Sequence, residues 1–128
     1  MDFKAALLVF VGGGAGSVLR WLTGLGMLRL LGPHFPFGTL AVNIIGCFVM
    51  GVFFRVLPTP VDAVASSRLL LMTGVLGGYT TFSAFALDSA ALWMRNEPSL
   101  ALLYVAASVG VSLLGVALGL FVGKLVMA

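Results

Sequence analysis

Apolar residues run with few interruptions over positions 3–31, 37–57, 67–95 and 99–127 of this 128-residue chain. A helix needs roughly 20 mostly apolar residues to cross the hydrocarbon of a bilayer, and each run is long enough. Proline and polar residues mark three breaks: "GPHFP" at 32–36, "PTPVDAVASS" at 58–67 and "NEP" at 96–98. The pattern predicts an all-α membrane protein with four transmembrane helices, a single membrane domain over 1–128 and no extramembrane domain. With four spans, both termini lie on the same side.

Composition sharpens this. The chain is 61% hydrophobic and 9% charged, with mean hydropathy +1.19, too little polar surface for a soluble domain. Its basic residues are scattered, which removes support for nucleic-acid binding. The start, "MDFKAALLVFVGGGAG", has the look of a signal peptide, but the apolar run continues to Leu31. Cys47 is the only cysteine; it makes no intrachain disulfide and reads as a small buried apolar side chain. One Cys and one His, far apart, lack the spacing of a zinc-type site.

Charge gives little orientation. Lys4, Arg55, Arg68 and Lys124 fall on the side of the termini, Arg29 and Arg95 on the other, and Arg20 within the first span. An excess of Lys and Arg normally fixes which side faces the cytoplasm. The bias here is small enough for insertion both ways, which suggests an antiparallel, dual-topology homodimer. Gly12 and Gly16, and the series Gly115, Gly119 and Gly123, have the small-residue spacing of helix-packing seams.

Polar residues at membrane depth must face protein or a water-filled path. Tyr104, Ser108 and Ser112 recur every fourth residue and form one hydroxyl stripe on the fourth span. The alternative for each serine is a bond back to a carbonyl one turn earlier. Thr39, Asn43 and Gly46 share a face of the second span. The Asn43 amide suits either an interhelical hydrogen bond or donation to an anion. Phe82 and Phe85 face roughly one way, as packing residues or as aromatic edges turned to an anion. Arg20 either snorkels to an interface beside Trp21 or places positive charge at a vestibule. Asp88 reads as interfacial or paired with a base, and otherwise as a coupling carboxylate. The stretch "GGYTTFSAF", Gly77 to Phe85, sets glycines and hydroxyls inside the third run. That composition lets the helix break, and broken membrane helices line ion sites.

Three segments in order, "GGGAGSVLRW", "GTLAVNIIGCFVMG" and "GVLGGYTTFSAF", resemble the Fluc family of bacterial fluoride channels, the CrcB-type proteins. The resemblance covers essentially the whole chain. It implies an antiparallel homodimer in the bacterial inner membrane, with two fluoride pores and a central structural sodium ion. It implies that the third helix is broken and that the main-chain carbonyls of Gly77 and Thr80 hold the sodium. The fluoride path then matches Asn43, Phe82 and Phe85, with Tyr104, Ser108 and Ser112 as a polar track, Thr39 and Ser83 as further lining and Arg20 at the vestibule. Ser17 and Ala84 depart from the family's usual Ala and Thr, so no lining hydroxyl is carried over to position 84.

The resemblance implies passive fluoride export that confers fluoride resistance, with fluoride, lipid and a second copy of the chain as partners. No Walker A pattern is present. The leading alternative is a small dual-topology multidrug/proton exchanger, which needs a membrane-embedded acid; the first span has none within it, and Asp88 is the deep one. A noncatalytic membrane subunit leaves the aligned hydroxyls unexplained, and no convergent acid, base and nucleophile point to an enzyme.

Overall fold

The computed structural model describes residues 2–59 and 66–128. Residues 60–65, which carry most of the expected break at 58–67, lie outside that description. Among the described residues the chain is helical with no strand. Helix α1 spans Phe3–Leu31, α2 spans Phe37–Val56, a third span runs Ser66–Met94 and α6 spans Pro98–Val126. All four are long and apolar enough to cross a membrane.

Local chemistry sets the ends. The Asp2 carboxylate caps α1 by accepting from the Lys4 N–H at 3.0 Å. Gly32, at φ 80°, ends α1 in a conformation open to glycine. Pro98 opens α6, where its missing N–H costs nothing. At the other end of the bundle, Arg68 reaches carbonyls in the last turn of α2 and just past its end. It donates to Phe54 O at 2.8 Å, Leu57 O at 3.2 Å and Pro58 O at 3.0 Å. These acceptors have few helical donors left, so one guanidinium ties the second span to the third.

The third span changes character along its length. It begins as α3 (Ser66–Arg68), widens to a π-helix over Leu69–Leu76 and returns to one α-turn, α4 (Gly77–Tyr79). Thr80 and Thr81 are extended, at φ/ψ −84°/156° and −152°/119°. Helix α5 (Phe82–Met94) follows, capped by the Thr81 hydroxyl accepting from Ala84 N–H at 3.1 Å.

Two glycine seams hold the bundle, both between helices of one chain. Gly12 and Gly16 let α1 lie against the π-helix and α4; a Cβ on Gly16 would meet Val75 O and come within 2.9 Å of Tyr79 N. Gly51, Gly119 and Gly123 do the same for α2 and α6. With no hydrophobic drive inside lipid, such backbone approach supplies the packing. The buried apolar cluster is small: Leu92, Ala101 and Tyr104, with Phe35, Leu40, Phe85 and Leu100 around it. Many large side chains point outward, among them Phe10, Leu114 and Phe82.

Candidate ion path

The extended pair Thr80–Thr81 is held from α2. Asn43 Nδ2 donates to Thr81 O at 3.0 Å, and Thr81 N–H donates to Asn43 Oδ1 at 2.8 Å. Chemistry fixes this amide orientation, because an N–H must meet the oxygen and a C=O the NH2. The second Nδ2 hydrogen has no acceptor among the described residues. One turn along α2, Gly46 faces Thr80, and a Cβ there would collide with Thr80 Cγ2. So α2 meets the extended pair with a bare backbone and a two-point amide clasp.

Beside this clasp lies a groove of ≈ 400 Å³. Asn43, Gly46, Cys47 and Met50 line it from α2, Thr80, Thr81, Phe82 and Phe85 from the third span, and Ser108, Val109, Ser112, Leu113 and Val116 from α6. The groove is largely apolar, with a few hydroxyls and one amide. The hydroxyls of Ser108 and Ser112 are buried and have no hydrogen-bond partner among the described residues. That is costly unless something else uses them. Other hydroxyls of the chain do bond one turn back: Thr23 to Leu19 O at 2.9 Å, Thr80 to Leu76 O at 2.9 Å and Ser89 to Phe85 O at 2.8 Å. The back-bonding alternative therefore fails for the two serines of the groove.

The structure brings Asn43, Thr80, Phe82, Phe85, Ser108 and Ser112 to this one groove and puts the other expected residues elsewhere. Phe82 and Phe85 pack with ring centroids 5.5 Å apart. Tyr104 is fully buried beyond the groove; its ring sits 5.4 Å from that of Phe85, and its hydroxyl donates to Asp88 Oδ2 at 3.1 Å. Asp88 is thus held by a phenol, whereas the sequence suggested an interfacial position or a basic partner. Thr39 lines a second cavity of ≈ 360 Å³, together with Asp88 and Arg95. Ser83 is exposed, its hydroxyl 3.3 Å from that of Thr81. Arg20 is half-buried, and its Nη1 donates to Thr80 O at 3.5 Å. Gly77 is exposed.

Three features were not assigned to the site from sequence. Thr81 both accepts the clasp and caps α5; a Thr directly before the helical "FSAF" was its signal. Cys47 and Met50 enter the groove one and two turns beyond Asn43, as helical spacing requires. Tyr79 bonds Thr23 across α4 and α1, with the two hydroxyls 3.0 Å apart.

Four membrane-length helices, three of them lining a largely apolar groove with a few buried hydroxyls, define a multi-pass helical membrane protein. The family model for CrcB-like protein, Camphor Resistance (CrcB), matches residues 7–120. A Rhizobium etli protein named fluoride-specific ion channel FluC is 56% identical over 115 residues, covering 90% of this chain and 92% of its own. Proteins of the same name from Agrobacterium fabrum and Mesorhizobium japonicum are each 47% identical, over 117 and 118 residues, covering 91% and 92% of this chain and 94% of their own. The chain belongs to the CrcB-like family, the Fluc family that its sequence resembles. It is accordingly a multi-pass membrane protein and not an enzyme.

Proposed function

We propose that this protein is a fluoride-selective passive channel that exports cytoplasmic fluoride and so gives fluoride resistance. The observation that carries the reading is the pair of unpartnered hydroxyls, Ser108 and Ser112, in one groove with Asn43, Phe82 and Phe85. Fluoride is small and strongly hydrated, so a path must replace its water. Hydroxyl donors, a spare amide hydrogen and the positive edges of phenyl rings do this without a full charge that would trap the ion. Tyr104, Thr39 and Ser83 extend the lining beyond the groove, and Arg20 draws anions toward the mouth. The potential across the inner membrane drives export, and no nucleotide is required.

In the assembled channel two antiparallel copies enclose two pores, and the extended Thr80–Thr81 pair is the break of the third membrane helix. Exposure of Phe82, 79% in the single chain, supports a covering copy, because a pore needs a second wall. A structural sodium ion sits at the carbonyls of Gly77 and Thr80. The residues fit such an ion: Thr81 N–H, which would close a helical turn on Gly77 O, is diverted to Asn43. Among the described residues Thr80 O receives only the long contact from Arg20. Carbonyl oxygens suit a hard cation. Bound there, the ion supplies a fixed positive charge that ties the subunits together.

The test is efflux from liposomes that contain the purified protein, potassium fluoride and potassium chloride, with valinomycin to clamp the voltage. Fast fluoride release with negligible chloride release is the expected result. Folded protein that releases neither anion, or both alike, would overturn the assignment.

A further inference from the structure

We infer that Asn43 sets the sodium affinity of this channel as a positioning residue, acting through the Thr81 peptide without touching the ion. The inference rests on the sodium reading above. In a continuous α-helix each N–H closes on the carbonyl four residues back. The last such bond before the extended pair is made, from Thr80 N–H to Leu76 O at 3.0 Å. The next would run from Thr81 N–H to Gly77 O. It is not made, because Asn43 Oδ1 takes the Thr81 N–H at 2.8 Å.

The same amide returns a hydrogen bond to Thr81 O at 3.0 Å. Thr81 is therefore held on both sides, which keeps it extended. Gly46 contributes by letting α2 come within contact of Thr80. Thr81 is 8% exposed, so its N–H must find an acceptor inside the protein. Without Asn43 the acceptor one helical turn back is Gly77 O. Closing that bond would consume a carbonyl assigned to the cation. Helix closure and sodium thus compete for one oxygen, and Asn43 removes the competitor.

Asn43 also lines the anion groove. One side chain therefore faces the fluoride path with one hydrogen and shapes the cation site through its other hydrogen and its oxygen. Any displacement of the amide by an anion is felt at Gly77, and linkage makes that coupling reciprocal.

The experiment is thermal unfolding of the purified full-length protein in detergent, titrated with sodium chloride at constant ionic strength against potassium chloride. Wild type should show a sodium-specific rise in Tm. Asn43→Leu matches the shape but holds neither Thr81 group, and should shift the sodium midpoint upward on the order of tenfold or more. Asn43→Asp keeps the acceptor for Thr81 N–H and should retain the rise. Ser112→Ala alters the groove without touching Thr81 and should also retain it. A wild-type midpoint in folded Asn43→Leu overturns the inference. Should that variant not fold, loss of the rise in folded Asn43→Asp overturns it instead. Wild type indifferent to sodium sinks the sodium reading itself, and the inference with it.

Discussion

The Tyr104 hydroxyl donates to Asp88 Oδ2 at 3.1 Å, joining α6 to α5 beside the buried Leu92–Ala101 contact. The Tyr104 ring fixes this pair from the other side, with Phe35 edge-on at 5.5 Å and Phe85 tilted at 5.4 Å. Tyr104→Phe keeps the ring but leaves the carboxyl without its donor. We predict a loss of about 1–3 kcal/mol, the cost of leaving a half-buried carboxyl without its hydrogen bond. Asp88→Asn preserves an acceptor for the phenol and should cost less. Paired denaturation curves check the order; equal losses would show that the hydrogen bond is not what matters.

The groove serines should behave in the opposite way. Ser108 is buried, and its hydroxyl, like that of Ser112, has no partner in hydrogen-bond geometry among the described residues. Removing such a group takes away a desolvation cost, so Ser108→Ala and Ser112→Ala should be neutral or more stable, by up to about 1 kcal/mol. Fluoride efflux should nevertheless fall. A variant that is less stable yet conducts normally would mean that these hydroxyls serve packing.

The glycine seams separate sharply by position. A Cβ on Gly119 would strike the Phe48 carbonyl, which cannot move without shifting α2. Gly119→Ala should cost about 3 kcal/mol or more through overpacking, or prevent folding. A Cβ on Gly110 meets nothing within 4 Å. Gly110→Ala should be neutral, or stabilising by roughly 0.5–1 kcal/mol through helix propensity. Size-exclusion profiles after a heating series would rank the two.

The four-helix architecture was legible because lipid demands long apolar runs and the chain marks their ends with Pro, Gly and Asn. The groove was legible in part. Helical spacing alone put Ser108 in register with Ser112, and "GGYTTFSAF" signalled weak helical backbone. The Asn43 clasp was not, because spacing says that Asn43 seeks a partner but not that the partner is the Thr81 peptide. Nor was the π-helix at Leu69–Leu76. It depends on how the third span seats against Gly12 and Gly16, a tertiary relation that no local pattern carries. Asp88 shows the same limit: the base expected from sequence neighbours lost to a phenol from another helix.

The two groove phenylalanines offer the most discriminating pair. Phe85 is half-buried against Tyr104, whereas Phe82 is 79% exposed in the single chain. If Phe85 serves both core and path, Phe85→Ala should lose about 3–5 kcal/mol, the usual cost of truncating a packed ring. Phe85→Leu should lose less while still lowering fluoride flux, since it fills space without an aromatic edge. Phe82 has little to lose within its own chain. We predict that Phe82→Leu leaves the unfolding of the isolated chain close to wild type and lowers fluoride efflux from liposomes. Unchanged flux in both leucine variants would remove the aromatic edges from the conduction mechanism. Dehydration would then fall to Asn43, Ser108 and Ser112 alone.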